Sequence, residues 1–225
     1  MYFSTIITLI IALKKALFDL IAPPLCAYCK ELLSARSIVC DTCTQRITPL
    51  VSVVVPVTKK YHMPVLCIGE YKDPLKKLIL SKGWSDYVAS HELGHLMYDL
   101  TPIAQMSFDV IVPIPLHWTR FARRGYNQAE EMARTLANYM GIPCVNAIKR
   151  VRATPLQSSV AHTQRGKNVK SVFEFVSKER SIFRGKRILL VDDLMTTGAT
   201  LQSAAKAIAT ARPDSLSALV AARVK

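Results

Sequence analysis

Ten consecutive residues, Val191-Asp192-Asp193-Leu194-Met195-Thr196-Thr197-Gly198-Ala199-Thr200, concentrate the groups that hold a phosphate ester. The apolar run Arg187 to Val191 reads as a strand, and it ends in two carboxylates. A Thr/Gly turn then opens a helix. Such a turn offers successive backbone N–H groups and three hydroxyls at a helix amino terminus, where the partial charge is positive. Gly198 permits close approach and dihedrals that other residues avoid. Asp192 and Asp193 only accept hydrogen bonds when ionised, which suits vicinal hydroxyls or a Mg²⁺ ion. The position at the carboxyl end of a strand is where open α/β sheets bind ligands.

Four of the six cysteines form a second constellation. Cys26 and Cys29 make one C-x₂-C pair, Cys40 and Cys43 another, with ten residues between the pairs. Without a secretory signal this spacing favours metal over disulfides, and four thiolates complete a tetrahedral Zn²⁺ site with no open position. The expected role is structural, because so short a segment has few core residues of its own. Cys67 and Cys144 stand in apolar strand patterns and read as ordinary core residues.

A third motif, His91-Glu92-Leu93-Gly94-His95, spells H-E-x-x-H on a predicted helix. Read as a protease site, it would use His91 and His95 as zinc ligands and Glu92 as base. Leu96 to Thr101 supplies no further histidine, and Asp99 and Asp109 are poor substitutes. The protease reading therefore ranks third, well behind the phosphate loop.

Charge is unevenly placed. The chain carries a formal +14, and residues 118–187 hold 15 Lys or Arg against 4 Asp or Glu. A concentrated positive field points to a polyanion: nucleic acid, a pyrophosphorylated metabolite or an anionic membrane surface. Two segments carry it. Val112-Pro113-Ile114-Pro115-Leu116-His117 leads into Arg120, Arg123, Arg124, Gly125, Tyr126, Asn127 and Gln128. Arg150 to Lys170, with Gln157, Arg165, Lys167 and Asn168, reads as a mobile basic loop. Bidentate guanidinium groups match phosphate oxygens.

The segment around Asp192 resembles the 5-phosphoribosyl 1-pyrophosphate (PRPP) signature of type I phosphoribosyltransferases. That resemblance implies that Asp192 and Asp193 face the ribose and act in catalysis, while Thr196, Thr197, Gly198, Ala199 and Thr200 wrap the 5-phosphate. It also implies Mg²⁺ bound with PRPP, pyrophosphate held by Arg120, Arg123 and Arg124, and a flexible loop bearing Arg150, Arg165 and Lys167. Thr196 stands where several base-using members carry an acid, which weighs against ordinary purine salvage. With the cysteine block added, the chain resembles the ComF family of competence proteins. What this implies is natural transformation: handling of incoming single-stranded DNA on the cytoplasmic side, beside other DNA-uptake proteins. Trp118, Phe121 and Tyr126 would then be stacking platforms. An active transferase with an unassigned acceptor is the second reading.

The elements that must position these groups follow from periodicity. Val51 to Val55 and Val65 to Glu70 read as strands, Lys72 to Lys82 and Ser85 to Leu100 as helices. Phe108 to Pro115 reads as a buried strand running into a loop. Asn127 to Met140 reads as a helix with an Asn cap, Pro143 to Ile148 as a strand, Ala199 to Thr210 as a helix and Ser217 to Val224 as a strand. Strands alternating with helices predict an α/β fold with a parallel sheet. The expected organisation is an apolar helix over 1–24, a zinc ribbon over 25–58 and the phosphoribosyltransferase-like domain over 59–225. The first helix is too short to span a bilayer, and Lys14 and Lys15 follow its apolar run. It either docks on the protein or lies at the membrane interface through residues 1–20.

Overall fold

The computed structural model describes residues 23, 25–33, 39–48, 52–80, 84–116, 121–122, 125–151, 172–176 and 180–225, with backbone alone for 84–87. The expected first helix, Arg120, Arg123, Arg124, Arg165 and Lys167 lie outside the described residues. So does the basic loop after Val151. The chain divides into two compact units, Met1–Arg46 and Ile47–Lys225. Residues 47–58, which the sequence reading assigned to the cysteine module, belong to the larger unit. The reason is local: Val53–Pro56 zips antiparallel onto His62–Glu70.

In the smaller unit, a backbone bridge between Leu25 and Leu32 folds the first cysteine pair into a knuckle. A single helical turn, α1 (Asp41–Thr44), carries the second pair.

The larger unit is built on a five-stranded sheet. Its strands are β1 (Val53–Pro56), β2 (His62–Glu70), β3 (Val110–Pro113), β6 (Arg187–Met195) and β7 (Ser215–Arg223), in the order β1-β2-β7-β6-β3. All neighbours are parallel except the edge pair β1–β2. A separate antiparallel ribbon joins β4 (Ile148–Arg150) to β5 (Phe173–Phe175). Helices α2 (Leu75–Leu80), α3 (Trp84–Asp99) and α4 (Gln128–Met140) pack along the sheet, as does α5 (Ala199–Ala209) with the β4–β5 ribbon. Every residue from Ile188 to Val191 is fully buried. A central parallel strand covered on both faces reads as this kind of unbroken apolar run. Ile188, Leu190, Leu216, Ala218 and Val220 share one apolar cluster with Leu201, Ala204, Ala205 and Ile208 of α5. The α/β class with a mostly parallel sheet is the one anticipated. Among the described residues no helix is long and apolar enough to cross a membrane.

Three local expectations change. The strand expected to stop at Val191 continues to Met195, because β7 offers backbone partners as far as Arg223. The strand expected over Pro143 to Ile148 reduces to one parallel bridge, Ile111 to Cys144, before β4 begins at Ile148. Ile111 spends both its N–H and its C=O on this segment, through Pro143 O and Val145 N. Asn127 stands at the N-cap of α4, but its side chain makes no cap hydrogen bond. Its Nδ2 instead donates to Ile114 O at 3.1 Å, tying the Pro113–Leu116 loop to the helix. Gln128 does similar work, with Nε2 donating to Ile79 O of α2 at 3.4 Å.

The amino ends of β3 and β6 are clamped by an ion pair. Asp109 accepts from Arg187 N at 2.8 Å, Arg187 Nε at 3.2 Å and Arg187 Nη2 at 3.3 Å. Hydrogen bonds from the Arg187 side chain and amide hold the Asp109 carboxyl down at about 2. A depressed folded value means the clamp stabilises at every pH above the ordinary carboxylate range and is lost as pH falls toward 2. The difference in denaturant midpoint between wild type and Asp109→Asn should therefore be constant above about pH 5. It should close as the pH is lowered toward 2. A gap that stayed open at pH 2 would remove the ion pair as its cause.

Candidate functional site

The acid pair stands in the second half of β6. Asp192 Oδ1 accepts the Asp193 amide at 2.9 Å. Burial, and then the neighbouring Asp193 carboxylate, push Asp192 well above the usual carboxylate range, with Arg150 pulling the other way. So the structure brings together Asp192, Asp193 and Arg150, three of the residues singled out from sequence, although Arg150 is 42 residues away in the chain. The Arg150 guanidinium also lies over the Phe173 ring, 5.5 Å from its centre. A cation stacked this way is held in place without neutralising its charge.

Past Met195 the chain turns through exposed Thr196 and Thr197 to a buried Gly198 at φ 78°. Only glycine adopts this dihedral at no cost, and a Cβ here would also come to 2.9 Å from Met195 Cε. Thr197 Oγ1 accepts the Ala199 amide at 3.4 Å, and Gln202 N donates to Gly198 O at 2.8 Å, closing the first turn of α5. The first amides of any helix lack intrahelical acceptors and face whatever sits before them. Here they face the turn. Thr196 to Thr200 thus combine two exposed threonines, a left-handed glycine and a helix start.

Beside the turn lies a cleft of about 410 Å³, lined in part by Val55, Pro56, Thr197, Gly198, Gln202 and Arg223. Gln202 Nε2 donates to Pro56 O at 2.5 Å, joining α5 to the edge strand. Arg223, opposite Met195 in the β6–β7 ladder, has a buried Nε with no partner among the described residues. Sequence reasoning missed Arg223 and Gln202. The available signal was position, since Arg223 ends the last strand on the side where the phosphate loop begins.

The cysteine cluster forms independently in the smaller unit. The four sulfurs lie within 4.8 Å of one another, and Cys29 Sγ is 3.6 Å from Cys40 Sγ. Four sulfurs around Zn²⁺ at about 2.3 Å would be roughly 3.8 Å apart, so the donor set fits that ion. Burial raises the Cys26 thiol, but hydrogen bonds from the Cys29, Cys40 and Tyr28 amides outweigh it and bring it to about 6. Burial, then the thiols around it, push Cys43 up to about 12. Cys67 and Cys144 are each pushed up to about 11 by burial, as half-buried packing residues are.

A strand ending in paired carboxylates, a left-handed glycine and a helix start over a parallel sheet define a phosphoribosyltransferase-type site. The pattern described as "Phosphoribosyl transferase domain" matches residues 89–225, and the chain belongs to that family. It is similar to Competence protein F of Haemophilus influenzae, with 35% identity over 150 residues, which are 63% of this chain and 65% of that one. It is also similar to the DNA utilization protein YhgH of Salmonella typhimurium, with 28% identity over 81% of this chain and 76% of that one. Competence protein ComFC of Bacillus subtilis shares 37% over 44% of this chain and 38% of its own length.

Proposed function

We propose that this protein serves in DNA uptake, binding incoming single-stranded DNA on the cytoplasmic side and a PRPP-like ligand at the loop from Asp192 to Thr200. The observation that carries this reading is the loop itself, an exposed turn at a helix start that follows two acids, with the Arg150 charge acting on Asp192. The names of the relatives, which speak of competence and DNA utilization, support the wider role. In this reading Arg120, Arg123, Arg124, Arg150, Arg165 and Lys167 bind pyrophosphate or DNA phosphates, and Mg²⁺ accompanies PRPP at Asp192 and Asp193. The cysteines hold a structural Zn²⁺. The apolar helix of residues 1–24 docks on the protein, or lies on the inner face of the membrane through residues 1–20.

The test is anisotropy of a labelled single-stranded oligonucleotide across salt concentrations. Affinity should fall linearly on a log–log plot, with a slope near −0.7 for each phosphate neutralised. Replacing Arg120, Arg123 and Arg124 together by Ala should flatten that slope by about 2. Binding that ignored salt between low and physiological concentrations would end the electrostatic account.

A second reading, active transfer of a phosphoribosyl group, is favoured by the family match over 89–225. Catalysis would then rest on stabilising the leaving pyrophosphate and an oxocarbenium-like ribose. Pyrophosphate released from PRPP in the presence of an acceptor, and lost in the double Asp192→Ala, Asp193→Ala variant, distinguishes it from a binding module.

A further inference from the structure

The function described above leaves unused the H-E-x-x-H segment of α3. One face of that helix is core: Ala89, Ser90, Leu93 and Met97 are at most 4% exposed. Gly94 meets α4, where a Cβ would come to 2.7 Å from Thr135 Cβ. This close approach sets the register of α3 on α4 and delivers Tyr139 to the flank of His95. On that flank His91 Nδ1 and His95 Nε2 face one another at 3.1 Å. The other ring nitrogen of His95, Nδ1, is hydrogen-bonded to the Tyr139 hydroxyl. Tyr139 is itself stacked on Tyr98, with ring centres 4.7 Å apart and planes 16° from parallel. Glu92 Oε1 lies 4.0 Å from His91 Nδ1, and one donor atom from each of the three residues falls within a 4.8 Å set.

We propose that His91, His95 and Glu92 form a second metal site, one that takes a borderline divalent transition ion such as Zn²⁺ or Ni²⁺. Two imidazole nitrogens bound to one Zn²⁺ at about 2.0–2.1 Å stand roughly 3.3 Å apart, close to the separation found here. The pair is thus set for chelation with little movement. Tyr139 is the positioning residue. When His95 Nδ1–H donates to the Tyr139 oxygen, Nε2 keeps its lone pair for the ion, the arrangement by which outer hydrogen bonds fix a ligating tautomer. Two imidazoles and a carboxylate favour Zn²⁺, Ni²⁺ or Cu²⁺ over Mg²⁺ or Ca²⁺, which prefer all-oxygen shells. His91 is 47% exposed, so water or a donor from a binding partner completes the coordination. The segment supplies three donors on one helix flank and no third histidine, so the site is assigned to binding and not to peptide hydrolysis. It is also chemically distinct from the four-thiolate cluster.

The experiment uses the full chain already carrying one equivalent of Zn²⁺, titrated calorimetrically with further Zn²⁺ and, separately, with Co²⁺ followed by absorbance. A second equivalent is expected, and its cobalt form should lack thiolate-to-metal charge-transfer bands. His91→Ala and His95→Ala should each weaken the second equivalent at least tenfold while leaving the first intact. Tyr139→Phe should weaken it about 10- to 100-fold without removing any ligand. Matching circular dichroism and thermal midpoints exclude misfolding of these half-exposed positions. The proposal is overturned if no second equivalent binds wild type, or if it binds both histidine variants with unchanged affinity.

Discussion

Asp192→Asn will raise the thermal midpoint of the ligand-free protein and at the same time abolish tight binding of PRPP with Mg²⁺. Asp192 is half-buried in the second half of β6, where loss of solvation first and the Asp193 charge second raise its carboxyl well above the usual range. A raised folded value stabilises the fold fully at pH below the ordinary carboxylate range. That stability is lost as pH rises through the folded value, so an ionised Asp192 costs stability near neutrality. Asparagine carries no charge yet keeps an oxygen for the Asp193 amide, now 2.9 Å from Asp192 Oδ1. A gain on the order of 1 kcal/mol, or about 2–4 °C for a chain of this size, is expected. The ligand reverses the sign. A carboxylate that accepts from ribose hydroxyls or coordinates Mg²⁺ contributes more than a neutral amide can, and its loss should weaken PRPP at least about 100-fold, near 2.7 kcal/mol. Calorimetric titration of PRPP with Mg²⁺ measures the second effect and a melting curve the first. An Asn variant that bound PRPP like wild type would discard the assignment of Asp192 to the sugar. A lower midpoint would mean that the raised carboxyl is not a burden on the fold.

Stripping zinc will unfold the cysteine module and spare the sheet. Apparent free energies of structural zinc sites are on the order of 10 kcal/mol, far more than Cys26, Leu33, Val39 and Cys43, the buried hydrophobics among the described residues of the smaller unit, can supply alone. The larger unit carries its own apolar cluster, from Val55 to Val220. Purified protein should hold one tightly bound zinc per chain. After a strong chelator, or in Cys26→Ser with Cys29→Ser, residues 25–46 should gain sites of limited proteolysis while the cleavage pattern of 47–225 stays as in the zinc-loaded protein. Because Cys43 is pushed up to about 12 and Cys26 brought to about 6, metal entry must expel protons at neutral pH. Binding should therefore tighten as pH rises, and the calorimetric enthalpy should depend on the ionisation heat of the buffer. Zinc-free protein with an equally resistant cysteine segment would leave the metal no structural role.

Much of the candidate site is written in short stretches of chain. The acids, Thr196 to Thr200 and the two cysteine pairs are each a local pattern whose chemistry is set by residue type and spacing, so they were legible before any folding. The apolar run from Ile188 to Val191 and the spacing of α4 and α5 were legible for the same reason, since periods of two and 3.6 residues are local properties. Asn127 shows where that legibility stops. Its type and place beside a helix start match a cap, but Ile114 O, thirteen residues earlier, competes for the side chain and wins. Likewise β6 outran its apolar stretch because β7 continued to offer hydrogen-bond partners.

The sequence by itself therefore determined the class of sheet, the acid–threonine–glycine pattern of the candidate loop and the metal-type spacing of the cysteines. These rest on neighbours along the chain. Tertiary structure alone decided that Arg150 approaches Asp192 and that Arg223 ends beside the loop. It also decided that Tyr139 reaches His95 across a helix crossing made close by Gly94. Those juxtapositions depend on strand order and on how tightly one element packs against the next. Both are fixed by burying apolar surface far apart in sequence, and no window of residues records it.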